Sequence, residues 1–214
     1  MNYLGAFGET STEKIIEKSR FITYCARTAG EEEAKKFLEK IRARHVGATH
    51  VCYGYIADPL GNLQRFSDDG EPQGTAGMPI LSVLKAQKLF ETSVAVVRYF
   101  GGIKLGAGGL TRAYASSAAE CVEAAQKRSF ETCVEYIVSV AYPEVGACLR
   151  FLEGSNAELL KREFGAGAEF TVSVREAEGE QFCNDLISAL IGRVSIAEGK
   201  KYVYPFAIKK KAGL

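Results

Sequence analysis

The chain has 214 residues, which suffices for one large domain or two small ones, each with its own hydrophobic core. Apolar residues make up 47% and charged residues 25%, a globular balance that excludes a disordered or fibrous chain. Because 27 basic and 26 acidic side chains give a formal net charge of +1, a nucleic-acid or membrane partner has to be argued from local charge clusters.

The cysteines and the N-terminal residues indicate the compartment. Six cysteines are scattered along the chain without a CxxC pair. The first residues lack the basic flank and apolar run of a signal peptide, and no stretch approaches the roughly 20 apolar residues that span a bilayer. We therefore expect reduced cysteines in a cytoplasmic protein without a membrane partner.

The first half is predicted to contain both strands and helices. A helix is predicted over Glu31–Arg44, where Ala34, Phe37, Leu38 and Ile41 form one apolar stripe and three glutamates occupy the first turn. The other predicted elements are strands at 18–28, 49–58, 62–66 and 93–100, a loop at 67–79, a helix opened by Pro79, a glycine-rich turn at 101–109 and a helix at 110–126.

The second half predicts a small domain of its own. Strands at 131–142, 157–164, 168–175 and 194–206 (the last a strand or a hairpin) alternate with helices opened by Pro143 and centred on Phe182 and Leu186. The order β-α-β-β-α-β is the split βαβ or ferredoxin-like pattern. The boundary is expected near residues 127–130, giving domains 1–128 and 129–214, with a solvated tail at 209–211.

The strongest local motif is VRYFGGIKLGAGGLTRAY (97–114). A strand enters a glycine-rich turn, a helix leaves it, and no acidic residue occurs between Glu91 and Glu120. Glycine amides and a helix N-terminus favour anions, so the motif indicates a phosphate or nucleic-acid site. The candidate contacts are Arg98, Gly101, Gly102, Lys104, Gly106, Gly108, Gly109 and Arg112.

Two known phosphate motifs do not fit this segment. Ala107 stands where Walker A requires a lysine, and Thr111 stands where a dinucleotide fingerprint requires a glycine. The alternative interpretation is a turn whose glycines only allow the helix to pack on the sheet.

The loop SDDGEPQGTAGMP (67–79) carries three carboxylates in four residues, Asp68, Asp69 and Glu71. They could hold Mg²⁺ or act as acid and base. A solvated turn, or an acidic surface that pairs with the basic loop 101–112, is favoured because the spacing matches no EF-hand. Whether the two loops face each other is left open.

His50 and Cys52 share one face of a predicted strand, since residues i and i+2 of a strand point the same way. A cysteine nucleophile with a histidine base is conceivable, but no third orienting residue can be named. The favoured interpretation of Cys52 is a small buried apolar side chain. No metal site and no resident cofactor are predicted; Mg²⁺ enters only with an enzymatic function.

Several of these segments resemble the signature stretches of the IMPACT/YigZ family. They are Arg20-Phe21, His50-x-Cys52-x-Gly54-Tyr55, and the motifs at 67–79 and 97–114, and the resemblance covers about residues 1–127. It implies an α+β fold with an N-terminal domain related to a small-subunit ribosomal protein and to GHMP kinases, containing a left-handed βαβ crossover. The C-terminal part is similar to a late domain of elongation factor G.

The resemblance also implies a cytoplasmic protein tied to translation, with RNA or the ribosome as partner. We therefore expect a nucleic-acid-binding protein that uses the basic glycine-rich loop, with Arg98 and Lys104 as the main charge contacts. The alternatives are a Mg²⁺-dependent enzyme acting on a phosphorylated small molecule or nucleotide, and a protein-interaction module using the C-terminal domain. A monomer is slightly favoured.

Overall fold

The computed structural model describes residues 2–208, so the predicted tail at 209–211 lies outside the described residues. The chain divides into two compact units, Tyr3–Ser129 and Phe130–Phe206. The α+β class with two domains is thereby confirmed. Within residues 2–208, no helix has the length and apolar character needed to cross a membrane.

The first unit is built around a five-stranded sheet. Its elements are β1 (Asn2–Ala6), β2 (Glu9–Ile16), β3 (Ser19–Arg27), α1 (Glu31–Arg44), β4 (His50–Ile56), β5 (Gln64–Ser67), α2 (Gly77–Ala86), β6 (Thr92–Tyr99) and α3 (Gly106–Ala124). The strand order is β2-β3-β6-β4-β5 and every neighbouring pair is antiparallel. Since β3 and β4 both run antiparallel to β6, they are parallel to each other, and α1 connects them across β6.

Helices cover both faces of this sheet, so its central strands are buried on both sides. Alternate residues of a strand point to opposite faces. Val94 and Val96 of β6 pack with α2 and α3, whereas Ala95 and Val97 pack with α1. The same alternation directs Arg98 to the face covered by α2 and α3.

Two helices begin earlier than the sequence predicts. α2 begins at Gly77 rather than at Pro79, because the Asp68 carboxylate accepts the backbone N–H groups of Ala76 and Gly77 at 2.9 and 2.8 Å and caps this end from outside the helix. α3 begins at Gly106 rather than at 110. Glycine lowers helix propensity, so packing on the sheet has to hold this first turn.

Strands β1 and β2 were not predicted. The β2 segment ETSTEKII alternates between exposed and half-buried residues, and its side chains are mostly polar. An edge strand of this kind lacks the apolar alternation from which strands are recognised.

The second unit has the predicted order β-α-β-β-α-β. It continues β7 (Lys127–Val140) with α4 (Val145–Gly154), β8 (Glu158–Phe164), β9 (Ala168–Arg175), α5 (Gly179–Ala189) and β10 (Ser195–Ala207), so the last segment is a strand and not a hairpin. In its sheet β10 pairs with β7, β7 with β9, and β9 with β8.

Candidate functional site

The glycine-rich segment leaves the end of β6 and enters α3. A Cβ atom on Gly101 would lie 2.0 Å from the backbone of Lys18, so only glycine fits where the segment crosses the β2–β3 turn. Gly102 and Gly106 have φ angles of 87° and 67°, which glycine adopts without strain. The first turn of α3 has neither a side-chain cap nor an acidic residue.

Two of the three predicted cations are exposed beside this turn. Lys104 and Arg112 line a cleft of about 610 Å³ together with Leu105, Gly109 and Glu17. An Arg112 guanidinium nitrogen lies 3.6 Å from the position of a Cβ on Gly108, so this side chain folds back over the first turn of α3. Among residues 2–208, neither Lys104 nor Arg112 forms an ion pair.

The third cation, Arg98, is buried, and this corrects its expected role as a main phosphate contact. The residue is 4% exposed, and its guanidinium donates to Glu71 Oε1 at 2.6 Å and to Ser19 Oγ at 3.2 Å. The rings of Phe21 and Phe100 lie 5.5 and 5.4 Å from the guanidinium carbon. An arginine enclosed in this way stabilises the fold and does not reach a surface ligand.

Glu71 is the centre of this buried polar cluster. Besides the Arg98 guanidinium, its Oε1 accepts the Tyr114 hydroxyl at 2.8 Å, and His50 Nε2 lies 3.8 Å away. Burial raises the pKa of Tyr114 well above its usual range, so Tyr114 stays a hydroxyl donor. Glu71 therefore joins the loop at 67–77 to β6 and α3.

The other two carboxylates of the loop also have partners within the protein. Asp68 accepts the N–H groups of Gly74, Ala76 and Gly77. Although burial acts in the opposite direction, these three hydrogen bonds lower the pKa of Asp68. Asp69 accepts the Val51 N–H at 2.6 Å and pairs with the Arg42 guanidinium of α1 at 3.0 Å.

His50 and Cys52 share one face of β4, as the spacing predicts, but the thiol is not set up as a nucleophile. Burial raises the pKa of Cys52 to about 12, and its Sγ donates to the Asp68 carbonyl at 3.0 Å. His50 Nδ1 donates to the Asp69 carbonyl at 2.8 Å. Both side chains therefore hold the acidic loop against the sheet.

No group of three or more His, Cys, Asp and Glu side chains within the described part of the chain is arranged to hold a metal ion. The carboxylates of the loop face backbone amides, Arg42 and Arg98, which supply the charge compensation that a cation would otherwise give. The acidic loop therefore contacts β6 and α3 through Glu71.

Sequence reasoning missed three residues: Ser19 and Tyr114 of the buried cluster, and Arg42, which pairs with Asp69 of the acidic loop. Tyr114 stands inside the glycine motif, where its position on the sheet-facing side of α3 gave a usable signal. Ser19 and Arg42 lie on β3 and α1, far from both motifs in sequence, and carry no local signal.

Comparison with known proteins identifies the family. Residues 17–122 match the Impact N-terminal domain, and residues 138–193 match a domain of unknown function, DUF1949. The chain is 40% identical to IMPACT family member YvyE of Bacillus subtilis, over 88% of this chain and 87% of that protein. It is 36% identical to IMPACT family member YigZ of Escherichia coli, over 78% of this chain and 83% of that protein.

A solved structure described as "Crystal structure of an hypothetical protein" covers 98% of each chain at 30% identity, with a TM-score of 0.61. The similarity therefore extends through both units. With two relatives above 35% identity over most of their length, this chain belongs to the IMPACT family.

Proposed function

We propose that this protein binds phosphate groups of RNA in the cytoplasm, in connection with translation, through the cleft at the start of α3. The observation that carries the proposal is the pair of exposed cations, Lys104 and Arg112, which line one cleft beside an uncapped helix end. Free backbone N–H groups and positive side chains at one place favour an anionic ligand. The set of contacts differs from the sequence expectation in that Arg98 is left out and Arg112, already a candidate contact, joins Lys104 as a main charge contact.

Glu17 is the one acidic side chain that lines this cleft. Of the loop carboxylates, Asp69 is paired with Arg42 and Glu71 with Arg98, so these two add little negative field at the surface of the cleft. Because neutralisation of phosphates releases counterions, binding here should weaken as salt rises.

The test is the double variant K104Q/R112Q, with K36Q/K85Q as the matched control. Lys36 and Lys85 are exposed on α1 and α2, so both double variants lose the same charge. Binding of a fluorescent oligouridylate is measured between about 50 and 200 mM salt. Loss of two phosphate contacts should weaken binding and flatten the slope of log affinity against log salt by roughly 1.4.

Equal affinity and slope in K104Q/R112Q and K36Q/K85Q would refute the proposal. A thermal-shift series provides a second test. Stabilisation by nucleoside triphosphates only when Mg²⁺ is present would favour a Mg²⁺-dependent enzyme instead.

This proposal includes the finer fold comparison. The first unit would be related to a small-subunit ribosomal protein and to GHMP kinases, and the second unit to a late domain of elongation factor G. The parallel β3 and β4, connected by α1, support this part of the proposal because a βαβ crossover belongs to the resemblance. Its left hand remains a prediction.

A further inference from the structure

Phe100 differs from Tyr99 and from the tyrosines of β4 because its side chain is exposed. Phe100 is 47% exposed, whereas Tyr55 is 3% exposed and packs against α1. Tyr53 stacks on Tyr55 at a centroid distance of 5.9 Å, and the Tyr99 hydroxyl is 2.9 Å from His45 Nδ1. Among these four residues only Phe100 is exposed, since Tyr53 and Tyr99 are half-buried and Tyr55 is buried.

The ring is also held in place by the buried cluster. The Phe100 N–H donates to Thr49 Oγ1 at 3.0 Å, and the Arg98 guanidinium carbon lies 5.4 Å from the ring centroid. The next residue, Gly101, packs against the backbone of Lys18. An aromatic ring that is ordered before binding loses less conformational entropy when the ligand binds than a mobile side chain does.

Two exposed lysines lie on segments that neighbour Phe100. Lys104 follows Phe100 by four residues, which an extended chain spans in at most about 14 Å. Lys18 is exposed at the turn that contacts Gly101. Neither lysine forms an ion pair with another of the residues 2–208. An exposed ring with unpaired cations on neighbouring segments complements a ligand that has flat apolar rings and anionic links.

We propose that the ligand is a single-stranded polynucleotide, with one base stacked on Phe100 and its phosphates held by Lys104 and Arg112. This inference rests on the proposed function and names the ligand class of the same site. A duplex is excluded as the main ligand because its bases are already stacked on each other. Since every base has a π-face, little sequence preference is expected.

The experiment uses the absence of tryptophan from the chain. F100W places a single reporter at the site, and F66W places one at Phe66, a 43% exposed residue on β5. Each full-length variant is titrated with an oligouridylate of roughly eight nucleotides, the matching oligothymidylate and a blunt RNA duplex. Stacking should quench the tryptophan fluorescence of F100W when a single strand binds, and the fluorescence of F66W should stay unchanged.

Affinity provides the second readout. F100A should bind the single strand about 5- to 150-fold more weakly than the wild-type protein, and F100L, which keeps apolar volume without a π-face, should show most of that loss. Quenching of the F100W fluorescence by the oligouridylate alone supports the proposal with single-stranded RNA as the ligand. Quenching by both the oligouridylate and the oligothymidylate supports it with single-stranded RNA or DNA as the ligand.

The proposal is overturned if saturating single strands leave F100W unquenched, or if F100A keeps wild-type affinity. If K104Q/R112Q still weakens binding in that case, the proposed function stands and only the stacking is wrong. If the wild-type protein binds no polynucleotide, both are wrong.

Discussion

Replacement of the buried Arg98 distinguishes a structural role from a ligand contact. R98M keeps much of the apolar volume but leaves the Glu71 carboxylate, 4% exposed, with Tyr114 as its nearest donor. Removal of one partner of a buried ion pair costs about 3–5 kcal/mol. We expect R98M and E71Q each to lose stability in this range. R98M/E71Q should lose clearly less than the sum, because neither buried charge is then left without its partner.

The assay is urea unfolding of the full chain, with hydrogen exchange of the β4 and β6 amides to follow the first unit separately from the second. R20M is the control, since the Arg20–Glu13 pair lies on the surface of the same sheet and should not change the unfolding midpoint. An R98M protein with wild-type stability and lost RNA affinity would refute the reasoning, because it would return Arg98 to the ligand site.

Two further predictions concern the acidic loop and the cleft. D68A removes the acceptor for three backbone N–H groups and should cost about 0.5–2 kcal/mol. The pKa of Asp68 is lowered from its ordinary 3.8 in the folded protein, so the stability that the Asp68 carboxylate contributes is complete above pH 3.8 and is lost as the pH falls below it. The loss of unfolding free energy in D68A should therefore shrink in acid. A loss that stays the same from pH 7 down to about 3 contradicts this. E17Q removes the carboxylate that lines the cleft with Lys104 and Arg112, and should tighten oligouridylate binding about two- to fivefold at low salt; unchanged or weaker binding would place the phosphates elsewhere.

The sequence predicts most of the strands and helices because their signals are local. The apolar stripe of α1 and the buried runs of β4 and β6 depend only on residues a few positions apart, and the structure places them within one or two residues of the prediction. The starts of α2 and α3 depend on contacts from other segments, such as the Asp68 carboxylate, and were placed two and four residues too late.

The site shows the same distinction more sharply. The sequence argument rested on the lack of acidic residues between Glu91 and Glu120, which considers only neighbours along the chain. The partner of Arg98 is Glu71, which lies 27 residues away in sequence. The strand period contained a usable signal. Val94 and Val96 lie on the face of β6 that α2 and α3 cover, so Arg98 two residues later had to point into that core and needed an anion there.

The acidic and basic motifs are therefore joined into one structural unit by the contacts of Glu71 with Arg98 and Tyr114. The carboxylates of Asp68, Asp69 and Glu71 each accept a hydrogen bond within the protein. The ion pair with Glu71 keeps Arg98 buried, so Arg98 does not contribute to the surface. The charges of Asp69 and Glu71 are each paired with an arginine and cancel at short range, so they contribute little to the potential outside, whereas Asp68 is bonded only to backbone N–H groups and keeps its negative charge. The cleft beside α3 is lined by two cations, Lys104 and Arg112, and one carboxylate, Glu17. It therefore has a local excess of positive charge, although the formal net charge of the whole chain is only +1. Inward pairing of the acidic loop thus gives a near-neutral protein one surface suited to an anion.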